Sequence, residues 1–402
     1  MKYYLHKNNK VAITLLMAAL IALSPFAIDS FLSAMPDMAV FFGVEFNVIE
    51  LIITMYFLGF SLGNFLGGPL SDAFGRKKIA LIGVVLYGVS ALIIPQCTAI
   101  EYVLLLRVFQ AFGGGFATVT SNLFIRDWYK GKEVAKLITI TTMIMMLAPL
   151  FAPIIGAYIA EHVQWQGVFY FLTICALLLF VVFSVFVPES RSKELLTHQL
   201  TIKQLVGKYK LFLSDKKSVI FMLAISFPAS GLYAFITTSS FIYLDYFNVD
   251  PAVFPLIFGA NIALNITLSM LNTFLLKQFT PKTIMQFGLW LQLTAGLLLG
   301  IEVLFLGAAF WHVFVLMVLF IGSLGLIFGN GIAIILGINP EVSATANGAL
   351  GIFRFLLGFL IGTLIAVFHT ENLIPIAVGM FICSLVGNLF FLKFKSLDKN
   401  SQ

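Results

Sequence analysis

Charge is scarce in this chain of 402 residues: Asp, Glu, Lys and Arg together make up 10 % of it. The few charged side chains that lie inside long apolar runs are therefore the ones placed to do chemistry. Asp29 sits within SPFAIDSFLSAMP, Arg107 within LLLRVFQAFGGGFA and Arg354 within GIFRFLLGFL. An ionised carboxylate in an apolar span costs roughly 2.5–3.5 kcal/mol on insertion scales, so Asp29 must line a polar path or take up a proton. An acid whose surroundings alternate between apolar burial and a neighbouring cation acts as a proton carrier. The plainer alternative is an interfacial acid near a helix end.

The elements that hold these residues follow from composition. With 60 % hydrophobic residues and 43 phenylalanines, the chain has too much apolar side chain for a soluble domain and the wrong composition for disorder. Lipid is the remaining solvent, and a spanning helix needs roughly 20 apolar residues. Apolar windows predict twelve spans, at 11–33, 48–67, 79–96, 102–124, 135–159, 167–187, 218–241, 253–276, 284–306, 311–337, 344–368 and 372–394. The organisation expected is an N-terminal six-helix bundle at 1–187, a cytoplasmic linker at 188–217 and a C-terminal six-helix bundle at 218–402. The N-terminus resembles a signal peptide, but its apolar run continues without an Ala-x-Ala site and reads as a retained first span.

Lysine and arginine give the orientation, because basic residues near span ends stay on the cytoplasmic side. With both termini inside, every one of the 24 except Arg107 and Arg354 falls in an inner segment. The formal charge of +6 is then a topology signal and needs no nucleic-acid partner. Cys97, Cys175 and Cys383 are scattered through apolar stretches, without disulfide or metal-ligand spacing. His162, His312 and His369 fall near outer span ends and read as interfacial.

Depth brings Asp29 and Arg107 together. Asp29 lies within about nine residues of the outer end of span 1 and Arg107 about five inside that of span 4, each on the order of 10 Å below the surface at about 1.5 Å per residue. Arg354 falls near mid-depth in span 11, where an unpaired cation is least tolerable. Its candidate partners are an anionic or carbonyl-rich substrate, Asn261 and Asn265 in span 8, or an acid of the first half. Glu302 lies nearer the outer end of span 9. Tyr56, Tyr233, Phe235 and Phe353 are candidate pocket walls.

Between spans 2 and 3 runs Gly68-Pro-Leu-Ser-Asp72-Ala-Phe-Gly75-Arg76-Lys77-Lys78. Glycine at 68 and 75 permits a tight turn, and Asp72 stands four residues before Arg76, where carboxylate and guanidinium can pair. The loop after span 8, KQFTPKTI, matches DAFGRKKI at a phenylalanine, a lysine and an isoleucine, which suggests a duplicated bundle. In span 5, Ala148, Ala152 and Gly156 recur every fourth residue as a small-residue stripe, while Pro149 and Pro153 favour a bend.

These strings resemble the major facilitator superfamily. The 68–78 loop matches its G-x-L-S/A-D-x-x-G-R-K/R signature at Gly68, Leu70, Ser71, Asp72, Gly75, Arg76 and Lys77. The resemblance implies a charge relay that locks the halves on the inner side and breaks as they rock, with Gly68, Asp72, Gly75, Arg76 and Lys77 as the switch. The span-4 string is similar to the family's R-x-x-Q-G-x-G at Arg107, Gln110 and Gly113, with Ala111 replacing a glycine. It implies a role for Arg107 in proton coupling, and since a guanidinium stays protonated, that role is to modulate the acid. Span 5 resembles the exporters' G-P-x-x-G-G, with Ala152 and Ala157 replacing glycines, which favours antiport. The span-1 pattern P-x-x-x-D followed by Met-Pro, the APLFAP of span 5 and the FRF of span 11 resemble the bicyclomycin- and chloramphenicol-resistance (Bcr/CflA) group of drug/proton antiporters.

The resemblance implies an all-α integral membrane protein of two six-helix bundles, a monomer in the bacterial inner membrane that exports small-molecule drugs or toxic compounds against protons by alternating access. Asp29 and Arg107 would couple the proton, with Tyr56, Gln110, Tyr233, Asn261, Asn265 and Arg354 as pocket residues. Export of an endogenous metabolite or siderophore, or proton-coupled import, fits the same fold. A membrane-embedded transferase would need a large outer loop or polar residues clustered at one membrane face. No phosphate loop, nucleophile elbow or metal box occurs, so no cofactor is implied and the chain does not read as an enzyme.

Overall fold

A computed structural model describes residues 9–130, 132–191, 196, 202–338, 343–368 and 371–399. Lys2, Lys7, Lys193 and His369 lie outside them, as does part of the 188–217 stretch. Two units divide the chain, Met1–Thr201 and Ile202–Gln402. Among the described residues every regular element is helical.

In the first unit, α1 (Lys10–Asp29) is followed by a 3-10 turn at Leu32–Ala34 and a short α2 (Met35–Phe42). Then come α3 (Phe46–Phe74), α4 (Arg76–Ile93), α5 (Ile100–Trp128) and α6 (Lys132–Phe186). The second unit has α7 (Ile202–Ser214), α8 (Lys216–Ser240), α9 (Phe254–Leu275), α10 (Pro281–Ile301), α11 (Phe310–Gly322), α12 (Leu324–Ile338), α13 (Ser343–Val367) and α14 (Ile374–Lys399). Eleven of the continuous helical segments are long and apolar enough to cross a membrane. One of them, Lys136–Phe186, breaks at Gln164 (φ 64°, ψ 175°) and counts as two, which gives the twelve spans of the sequence.

Four local expectations need correction. Span 1 is not one helix to Ser33: α1 stops at Asp29, after Pro25 has removed a backbone donor within its last turns, and Met35-Pro36 restarts the chain as α2. Gly68 makes no turn, because α3 runs on to Phe74 and Gly75 alone, at φ 103°, reverses the chain. The loop expected between spans 5 and 6 shrinks to the single residue Gln164. The linker region contains a helix, α7.

Apolar residues cover both faces of these helices, so residue size decides which face packs inward. In α6, Ala148, Ala152 and Gly156 are buried while nearby Phe151, Ile154 and Tyr158 are 47–64 % exposed. The stripe lets α6 reach the end of α1: a Cβ on Gly156 would stand 2.5 Å from the Ser30 carbonyl carbon. Likewise, Gly59 and Gly63 of α3 bring its backbone against Val108 and Phe112 of α5. The first approach fixes the end of α1 beside Asp29, and the second fixes the stretch of α5 that carries Arg107. The second unit centres on a cluster that includes Phe221, Ile225, Leu289, Ile327 and Phe391.

Candidate functional site

Asp29 is the last residue of α1 and only 3 % exposed. Its Oδ1 is fully buried and has no hydrogen-bond partner among the described residues. The turn and α2 that follow extend span 1 to Phe42, where the sequence reading ended it at Ser33.

Ending α1 at Asp29 deprives the Ala27 carbonyl of its helical donor, and Arg107 supplies one. Arg107, with no exposed surface, donates from Nη2 to Ala27 O (2.9 Å) and from Nη1 to Gln110 Oε1 (2.9 Å). Its Nε makes a long contact of 3.5 Å with Ile52 O. The guanidinium carbon lies 4.5 Å from the Tyr56 ring centroid and 4.6 Å from that of Phe31. Carbonyl dipoles and ring faces thus stabilise the cation, and Asp29 and Arg107 form no ion pair. The acid is left two residues from the carbonyl that the arginine grips. Tyr56 and Gln110, expected in a pocket, belong to this cluster, and Ser24 Oγ and Tyr56 Oη both face Gly114.

Sequence reading missed Glu50 in α3, whose side chain is wholly buried. An acid in the first turns of an apolar window was a visible signal, but it reads equally as an interfacial residue. Ile52, two residues on, carries the carbonyl that Arg107 approaches.

At the α3–α4 turn the expected pair forms: Arg76 Nη2 lies 2.6 Å from Asp72 Oδ1. Buried Arg76 also reaches Asp127 Oδ2 (3.2 Å) and donates to Ser71 Oγ (2.7 Å). Arg191 shares Asp72 at 2.8 Å. The sequence did not reveal Glu189, whose carboxylate accepts from the backbone N–H of Arg76 (2.8 Å) and Lys77 (3.0 Å) and so caps the start of α4. A φ of 103° favours glycine at 75, and a Cβ there would also press on Glu189 Oε2 at 2.5 Å. The Lys77 ammonium donates to Ser184 O in the last turn of α6 (2.7 Å).

In the second unit Arg354 and Tyr233 come together. The guanidinium carbon lies 5.3 Å from the ring centroids of Phe328 and Phe355, with the Tyr233 hydroxyl beside it. The pairing of Arg354 with Asn261 and Asn265 does not form. Asn261 donates to Ile257 O (3.0 Å) and Asn265 to Ile321 O (3.2 Å), which ties both amides to backbone. Phe235 stacks on Phe258 in the core. Glu302 is buried and accepts from Ala309 N (3.2 Å), and its Oε1 lies 2.9 Å from Nδ1 of His312, an exposed side chain.

Twelve spans in two units and this signature turn define a membrane transporter. The Major Facilitator Superfamily model matches residues 17–363, and the chain belongs to that family. It is 30 % identical over 387 residues to a bicyclomycin resistance protein homolog of Haemophilus influenzae, covering 95 % of this chain and 96 % of that one. It is 26 % identical over 302 residues to the chloramphenicol resistance protein CraA of Acinetobacter baumannii, covering 73 % and 68 %. Among solved structures, a bacterial homolog of the human lysosomal transporter Spinster superposes with a TM-score of 0.75 at 14 % identity, covering 96 % and 97 %. The D-xylose-proton symporter superposes with a TM-score of 0.74 at 16 % identity, covering 96 % and 97 %. The two structural likenesses are of fold alone. The chain is a multi-pass transporter of small molecules and not an enzyme.

Proposed function

We propose that this protein exports small toxic compounds across the bacterial inner membrane in exchange for protons, with both termini in the cytoplasm. The observation that carries the reading is Asp29: a carboxyl buried in the membrane, with one oxygen unpartnered, beside a carbonyl held by a fully buried arginine. A charged carboxylate is costly in such a place, and protonation removes the charge. A proton arriving from outside neutralises Asp29 and loosens its hold on a polar or cationic compound, and loss of the proton to the cytoplasm resets it. Arg107 stays charged and sets the potential at the acid.

The relatives named for bicyclomycin and chloramphenicol resistance support drugs as cargo and make those two compounds the first to try. The Asp72–Arg76 turn is the proposed conformational switch, and the stripe of Ala148, Ala152 and Gly156 lets α6 bend around Pro149 and Pro153 as the site changes access. The test is uptake into inverted vesicles. Asp29→Asn is expected to abolish drug uptake driven by a pH gradient while the protein stays folded. Full gradient-driven uptake by that variant would overturn the coupling scheme.

A further inference from the structure

Arg354 sits near the middle of α13, eleven residues after Ser343 and thirteen before Val367, or about 16 and 20 Å of helical rise. Neither end is within reach of its side chain, so it cannot snorkel to a headgroup. Among the described residues its side-chain hydrogen-bond partner is the Tyr233 hydroxyl. Phe328 and Phe355 present π faces to the guanidinium carbon at 5.3 Å. Such faces attract the cation but leave its N–H edges available. Nε is fully buried and has no hydrogen-bond partner among the described residues. The ring of Tyr233 is fixed against Phe355 at 4.9 Å and against the backbone at Gly358.

Arg107 makes the contrast clear. That arginine has no exposed surface and spends two donors on Ala27 O and Gln110 Oε1 at 2.9 Å each, whereas Arg354 is half-buried. Arg354 keeps Nε unpaired among the described residues, with rings on its faces and the Tyr233 hydroxyl as its one side-chain partner there. The planar guanidinium fork matches a planar two-oxygen anion.

We infer that Arg354, with Phe328, Phe355 and Tyr233, forms a subsite in the second unit for a carboxylate, or a like two-oxygen anionic group, carried by an aromatic compound. The inference rests on the export reading only in taking that compound to be cargo. The rings supply a slot for the compound's aromatic part, and the guanidinium selects the anionic group. A family of substrates that includes carboxylate-bearing zwitterions follows.

The test is equilibrium binding to the purified full-length protein in detergent. Two probes share one fluorescent ring system: norfloxacin, which carries a carboxylate and a protonated amine, and its ethyl ester, which keeps only the amine. Wild-type protein should bind the acid more tightly than the ester. Arg354→Gln should weaken norfloxacin about tenfold or more, as expected when a charge-assisted pair is lost, and leave the ester within about twofold. Arg354→Lys keeps the charge but not the fork and should fall between. If wild-type protein binds the acid no better than the ester, or if both affinities fall together in Arg354→Gln, the subsite is refuted. Binding in detergent needs no gradient and no direction of transport. Arg354-dependent binding alongside vesicles that fail to take up drug would refute export and leave the subsite standing.

Discussion

Gly156→Ala tests whether the approach of α6 to the end of α1 fixes the position of Asp29. A Cβ at 156 would stand 2.5 Å from the Ser30 carbonyl carbon and 2.8 Å from its Cα, with the carbonyl oxygen nearer still. Ordinary contact begins at 3.4 Å, so the two backbones must part by at least about 1 Å, the difference between 3.4 and 2.5 Å, and by more to clear the oxygen. No side-chain rotation can relieve the clash, because the opposing atoms are main chain. Overpacking of this kind costs about 1–3 kcal/mol. Ser30 is the residue after Asp29, so the shift moves the acid and strains the 2.9 Å bond from Arg107 to Ala27. Misplacing a reacting group by about 1 Å costs up to roughly 100-fold in rate. Gradient-driven drug uptake in inverted vesicles should therefore fall about 10- to 100-fold, and the purified variant should melt at a lower temperature. Gly300→Ala is the control, since a Cβ there meets nothing within 4 Å, and both measurements should match wild type. Wild-type uptake and an unchanged melting temperature for Gly156→Ala would refute the claim that this contact positions Asp29.

Arg107→Lys keeps the charge but cannot bond Ala27 and Gln110 together from a planar fork. Uptake should drop at least tenfold, as expected when a charge-assisted hydrogen bond is lost, without rescue at any external pH, and a normal rate would show that charge alone suffices. Glu189→Gln weakens the cap on the backbone donors of Arg76 and Lys77 and should cost about 1 kcal/mol. Thermal unfolding at low and high salt checks this, because the deficit should shrink as salt screens the carboxylate in wild type.

The spans were legible because lipid imposes a length and basic residues mark the ends. Asp29, Arg107 and Arg354 were legible because a charge in an apolar window has few explanations. The Asp72–Arg76 pair could be read from its spacing alone. Glu50 passed unnoticed because an acid four residues into a helix looks interfacial until its burial is known. Glu189 was beyond reach for a different reason: its partner Arg76 is 113 residues away, and no local pattern signals a cap donated across the fold. The stop of α1 at Asp29 was missed because Pro25 reads as a bend and does not reveal where the helix will end. That stop is what frees the Ala27 carbonyl for Arg107, so a site made of legible residues had a geometry that was not legible.

The weak likeness between DAFGRKKI and KQFTPKTI gains physical content from the structure. Aligned on the shared phenylalanine, Lys77 corresponds to Lys282 and Gly75 to Thr280. Lys77 donates to Ser184 in the last turn of α6, and Lys282 pairs with Asp398 in the last turn of α14. The same lysine thus fastens the third span of each unit to the sixth. The starts of the two third spans are capped differently. Thr280 accepts from its own helix at Thr283 N (3.3 Å), a local cap, whereas Gly75 has no side chain and α4 takes its cap from Glu189. A glycine with φ 103° makes the sharper reversal, and the space that a threonine side chain would fill holds the carboxylate. The first unit ties its turn to the segment that follows its last span, where Arg191 shares Asp72 and Ser190 donates to Asp127. A change at the 189–191 segment reaches the Asp72–Arg76 pair directly, whereas among the described residues Thr280 bonds only within its own turn. If the turn is a switch, it is one-sided, which fits a signature matched in full at 68–77 and only faintly at 277–284.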